Sequence, residues 1–139
     1  MAISQSMCAS FKSEVLGGIH DLDTDTIKIA LYTSSATLGS GTTAYSATNE
    51  VSGTGYTAGG NTLTSPVISL DGTTAIVDFA DSTWSTATIT ARGALIYNAS
   101  KSNRAIAVLD FGEDKTSTSG NFTVQFPAAA ASTAIVRLA

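Results

Sequence analysis

His20 is the only histidine of the chain and Cys8 the only cysteine, so acyl-transfer chemistry would have to run through them. A serine or thiol nucleophile needs an adjacent base, usually an imidazole. His20 follows Gly17-Gly18-Ile19 in a connector, and neither Cys8 nor any serine sits in a nucleophile elbow. His20 therefore reads as a surface histidine. Asp21-Leu-Asp-Thr-Asp25 matches the opening of an EF-hand loop. Its sixth position is Thr26 where glycine is required, and its twelfth is Tyr32 where a bidentate glutamate is required. The run reads instead as a polar turn whose carboxylates cap backbone amides before a strand. Asp110-Phe111-Gly112 spells the kinase metal-binding tripeptide, but the glycine-rich and catalytic loops that give it meaning are missing. Thr54-Gly-Tyr-Thr-Ala-Gly-Gly60 invites comparison with phosphate loops, yet no Gly-Lys-Ser/Thr follows and no helix is signalled after it. Asp78, Asp81, Asp110 and Glu113 read as solvated strand ends, not as a glycosidase pair. Asn98-Ala-Ser100 and Asn121-Phe-Thr123 fit glycosylation sequons, which matter only after secretion. The expectation is a protein with no enzymatic activity, no cofactor and no metal site.

Composition points the same way. The chain has 139 residues, which fits one domain, and 43% of them are hydrophobic, which is not the profile of a disordered chain. Ser and Thr make up more than a quarter of it, and Thr suits the wet face of a strand. Only 13% of residues are charged, and the net charge is -4. Nucleic-acid binding needs a positive field, and the Lys and Arg residues here are scattered. A lone cysteine cannot form an internal disulfide. No apolar run is long enough to span a bilayer and no leader pattern opens the chain, so folding in a cytoplasm without membrane insertion is expected.

The elements that would position these groups can be read from periodicity. Residues 4–16 predict the only helix, with Ser4 as N-cap and Met7, Cys8, Phe11 and Val15 on one stripe, ended by Gly17-Gly18. Residues 26–33 predict a strand with Ile27, Ile29 and Leu31 facing the core. Residues 34–60 form the longest irregular region, held down or presented to a partner by Tyr45, Val51 and Tyr56. Strands are predicted over 62–70, with Pro66 marking an edge, and over 73–79, joined by the hairpin signal Asp71-Gly72. Residues 81–83 read as a turn into the central stretch, Trp84 to Tyr97. There Thr88, Thr90 and Arg92 alternate with Ile89 and Ala91, and Gly93 signals a bulge or a close approach. Residues 104–111 read as an inner strand, 112–121 as a polar turn, 122–126 and 134–138 as further strands. Ile29, Leu31, Val77, Phe79, Trp84, Ile89, Leu95, Leu109, Phe122 and Phe126 form the expected core. The predicted fold is all-β, an antiparallel sandwich or barrel of about seven strands with one short N-terminal helix. It is one domain over 1–139, with a helical arm over 1–18 and the β-sandwich over 19–139.

Four stretches, 21–31, 49–60, 88–97 and the pair 110–112 with 121–125, resemble a family of small virion structural proteins of tailed bacteriophages. Ser10-Phe11-Lys12 in the opening helix is also similar, and the likeness runs from Phe11 to Phe126. The resemblance implies a non-enzymatic virion protein. The expected role is capsid decoration: a cement protein on the outer shell that contacts the major capsid protein and stabilises the assembled lattice by mass action. It implies a homo-oligomer, and a trimer fits the local symmetry axes of a shell. The expected contact elements are the N-terminal helix, residues 34–60 and residues 112–121, with Phe11, Tyr45, Val51, Tyr56 and Lys115 as contact residues. Alternative readings are a tail or neck component, such as a tube or adaptor ring, and a receptor- or carbohydrate-binding module using Tyr45 and Tyr56 as a platform.

Overall fold

The computed structural model describes residues 2–127, 130, 132 and 134–138. Its elements run β1 (Ser6–Met7), α1 (Ala9–Leu16), β2 (Ile27–Tyr32), β3 (Asn61–Thr62), β4 (Val67–Asp71), β5 (Thr74–Asp78), β6 (Ser82–Asn98), β7 (Arg104–Val124) and β8 (Val136–Leu138). Five strands form one sheet in the order β1-β7-β6-β2-β3, and three form a second in the order β4-β5-β8. All strand pairs are antiparallel. The fold is an antiparallel β-sandwich with one short N-terminal helix, as the alternation and the turn spacing predict.

β6 shows how the sequence sets the layers. Over its first half Thr88 and Thr90 are exposed while Ile89 and Ala91 are buried, the one-sided pattern expected of a half-wet strand. From Gly93 to Asn98 residues of both parities are buried, so both faces of the strand are covered, while β2 and β7 pair with its two edges. The change of character falls at Gly93. The register shifts between Ala91 and Gly93, and a Cβ at position 93 would stand 2.5 Å from the Leu109 carbonyl oxygen. β2 is likewise covered twice: Ile27, Ile29 and Leu31 meet the core, and Ala30 and Tyr32 on the other parity are buried as well. Every residue expected in the core is buried. Each such large apolar side chain contributes roughly 1.5–3 kcal/mol.

Several boundaries differ from the sequence reading. The helix begins at Ala9, because Ser6 and Met7 pair with Val108 and Ala107 of β7 and so extend the sheet. Cys8, not Ser4, is the N-cap, and it makes no side-chain capping bond. Gly17 keeps φ -84°, and the left-handed residue that ends the helix is Gly18, at φ 75°. The strand predicted over 62–70 is broken in two. β3 joins the large sheet and β4 the small one, with Ser65 at φ 55° and Pro66 between them. Ser82 and Thr83 lie in β6 and not in a turn. Residues 112–121 are not a turn: they continue β7, whose span also takes in the strand predicted to begin at Phe122. Lys115, Thr116 and Ser117 pair with Ala91, Thr90 and Ile89, and the Thr90 and Thr116 hydroxyls lie 3.0 Å apart. The wet half of β6 thus supplies the ladder that a polar segment needs.

Candidate interaction surface

The long connection between β2 and β3 is fastened to the sheet by one carboxylate. Glu50 Oε1 accepts from the Tyr45 hydroxyl at 2.6 Å. Its Oε2 accepts from the Tyr56 hydroxyl at 2.5 Å and from the Gly59 amide at 2.8 Å. The Tyr56 oxygen in turn accepts from the Leu31 amide at 2.9 Å, which joins the loop to β2. Tyr97 donates to the Gly59 carbonyl at 2.7 Å and Tyr32 to the Ser46 carbonyl at 2.6 Å. All four tyrosines of the chain therefore meet in this loop. Their rings pack as well: Tyr45 stacks on Tyr97 with centroids 4.7 Å apart, and Tyr56 on Trp84 at 5.9 Å. Burial pushes the Tyr32, Tyr45, Tyr56 and Tyr97 phenols up, and the Glu50 carboxylate adds to that shift in each.

Backbone bonds complete the fastening. The Thr33 amide donates to the Asn49 carbonyl and the Val51 amide to the Leu31 carbonyl. The Thr88 amide donates to the Thr54 carbonyl, and the Tyr45 amide to the Asn103 carbonyl. Gly60 marks the closest approach. It sits at φ 78°, and a Cβ there would stand 1.8 Å from the Ile29 carbonyl oxygen. Only glycine fits that position. The outer surface of this loop is rich in exposed Ser and Thr.

The other chemistry-bearing residues are engaged in structure. The His20 side chain is fully buried, so its reading as a surface histidine is corrected. Asn98 Nδ2 lies 2.8 Å from Asp25 Oδ2 and 3.0 Å from His20 Nδ1. This network assigns Nδ1 as the acceptor and leaves Nε2 to carry the proton toward Glu14 Oε1, 2.9 Å away. Glu14 Oε2 also accepts from Arg104 at 3.0 Å. Both ring nitrogens are thus occupied by residues that tie α1 to β6 and β7, and neither faces a nucleophile. The Cys8 thiol is buried, and burial, with Glu14 nearby, pushes it up to about 11. It stays protonated and unreactive at neutral pH. Asp21 Oδ1 accepts from the Asp23 and Thr24 amides, and Asp25 Oδ2 from the Asp21 amide, which is the capped turn expected there. Asp110 accepts from Arg92 and from the Gly112 amide within β7, and Glu113 also lies within β7, so neither is a strand end.

Of the expected contact residues, Phe11 and Val51 are interior. Phe11 is fully buried with its ring 5.0 Å from that of His20, and Val51 is buried beneath the loop it anchors. Their reading as contact residues is corrected: both spend their apolar surface on the core. Tyr45 and Tyr56 are half-buried, with rings stacked and hydroxyls engaged. Lys115 is exposed on β7, 3.0 Å from Glu113 Oε1. Glu50 is the residue the sequence reading missed. The available signal was its isolation, since no other acidic residue lies between Asp25 and Asp71. Compared with family models, curated proteins and solved structures, the chain matches none.

Proposed function

We propose that this chain is a non-enzymatic structural protein of a phage virion, a decoration or cement protein that docks on the assembled head. The observation that carries the reading is the Glu50 fastening, which turns a long hydroxyl-rich loop into a preformed surface. A surface that is already ordered loses little conformational entropy on docking, so its contacts convert into affinity. Its low charge suits burial against a capsid subunit, where unpaired charge is costly. The resemblance of the segments 21–31, 49–60, 88–97 and 110–112 with 121–125 to phage virion proteins gives the reading its biological setting. The major capsid protein is the partner, and the capsid surface the location.

Quantitative mass spectrometry of purified particles is the test. Hundreds of copies per particle are expected. A few dozen would move the protein to the neck or tail, and absence from the particle would end the virion reading. A second reading, a receptor- or carbohydrate-binding module at the virion surface, is favoured by a cleft of about 400 Å³ on β7. It sets the half-buried Phe111 ring beside Lys115, Asn121 and Gln125, with the buried Phe122 behind it. Binding of the purified chain to a glycan panel would favour this module over decoration.

A further inference from the structure

We propose that β4 is the docking edge for a second copy of this chain, joined antiparallel about a two-fold axis through Ser69. The inference rests on the geometry of the small sheet and stands apart from the virion reading.

Among the described residues, β7 and β4 both have open edges, and they differ in kind. Beyond Leu109 the outer edge of β7 carries Asp110, Glu113, Asp114 and Lys115, with left-handed residues at Gly112 and Ser119. Charges and kinks of this sort protect an edge from pairing. β4 has neither. It reads Val-Ile-Ser-Leu-Asp, is exposed at every position, and leaves Val67, Ile68 and Leu70 open to solvent by 56%, 55% and 73%. Pro66 stops the strand at one end and the Asp71–Thr74 hairpin stops it at the other. An apolar edge strand left this bare is a pairing site.

The register accommodates a second copy. Asp71 and Thr74 flank a two-residue turn, so they form the closing hydrogen-bonded pair. Ser69 and Val67 then also face β5, and the N–H and C=O groups of Ile68 and Leu70 point outward. Pairing about Ser69 sets Ile68 opposite Leu70 of the second copy, and Leu70 opposite its Ile68. Every outward donor among these residues then meets an outward acceptor. On one face of the small sheet, Ile68, Val77 and Val136 form one cross-strand row and Leu70, Ala75 and Leu138 another. Self-pairing joins these into two apolar rows that cross six strands. Charge fixes the direction. Asp71 is the only charge on β4. Parallel pairing would set one Asp71 beside the other. Antiparallel pairing sets each beside Val67 and parts the two by roughly 14 Å, at about 3.4 Å per residue, which exceeds the screening length of about 8 Å in physiological salt. A five-residue edge is a small interface, so association is expected to depend on concentration.

Analytical ultracentrifugation of the intact chain from roughly 1 to 500 μM tests this. The mass is expected to rise from one chain to two. The double variant Ile68→Lys/Leu70→Lys should raise the midpoint concentration at least tenfold. Leu16→Lys alters a still more exposed residue away from β4 and should leave it unchanged. Cross-linking reports on register without relying on the lysine variants. Facing residues of a non-hydrogen-bonded pair lie about 4.5 Å apart, within disulfide reach. Ser69→Cys should therefore oxidise to a covalent dimer, and Val67→Cys should not. A monomer throughout the range, which would leave β4 to a strand of another protein, overturns the proposal. So does a three-chain mass, a dimer that survives the double lysine variant, or cross-linking at position 67 and not at 69.

Discussion

Glu50 spreads one carboxylate over three donors, two phenols and an amide. Bonds to a charged acceptor contribute more than neutral ones, and removing the acceptor leaves half-buried donors without a partner. Glu50→Ala is therefore expected to lower stability by about 2 kcal/mol in chemical denaturation. Amide exchange should quicken at Gly59, which loses its acceptor, and unchanged stability would mean that the backbone bonds alone hold the loop. The tyrosines set the alkaline limit. Their folded-state ionisation is raised above the ordinary value of 10.0, so the neutral phenol is the form the fold favours. Below that value folded and unfolded chains are both protonated, and this contribution does not vary. As pH rises through it, the unfolded chain ionises first and stability falls. Tyrosinate absorbance is expected to appear together with loss of circular dichroism, not before it. On the acid side the sign is opposite. The Asn98 bond holds the Asp25 carboxyl below 3.8, so its contribution is present above that value and is lost as pH falls below it.

At the scale of elements, Gly60 fixes how β3 meets β2. Gly60→Ala would press a methyl group into the Ile29 carbonyl in a left-handed backbone, and a loss of about 3 kcal/mol is expected from thermal unfolding. A Gly72→Ala control, also left-handed but with open space around it, should lose less. What was legible in the residues follows the same logic. β2, the first half of β6 and the Asp71-Gly72 hairpin announce themselves because alternation and turn chemistry are local. Gly93 was legible because a glycine inside a strand pattern has few other uses. The second half of β7 was not legible. Its Gly, Asp, Ser, Thr and Asn residues read as a turn, and only pairing with distant Thr88–Thr90 makes them a strand. The break at Pro66 and the late start of α1 were hidden for a like reason, since each depends on which sheet a neighbouring residue joins. The Glu50 site was half legible: the tyrosines were visible as anchors, but their common acceptor became visible only once the loop was closed.

The whole molecule exposes 6736 Å². A monomer of its mass, 14.1 kDa, is expected to expose about 6,700 Å². The bare β4 edge is thus a local feature of an otherwise ordinary surface. Stability should be unevenly shared. β2 and the inner half of β6 are buried on both faces, whereas β4 is exposed throughout and β8 has three residues. Native-state hydrogen exchange is expected to show β4, β5 and β8 opening at lower free energy than β2 and β6. Equal protection in both sheets would contradict that order. Trp84, the sole tryptophan, is 4% exposed, and its indole N–H has no partner among the described residues. It lies between Tyr56 of the fastened loop and Phe122 of the long ribbon. The chain therefore carries its own fluorescent reporter: a blue-shifted emission that moves to longer wavelength when Tyr56 lifts away and water reaches the indole.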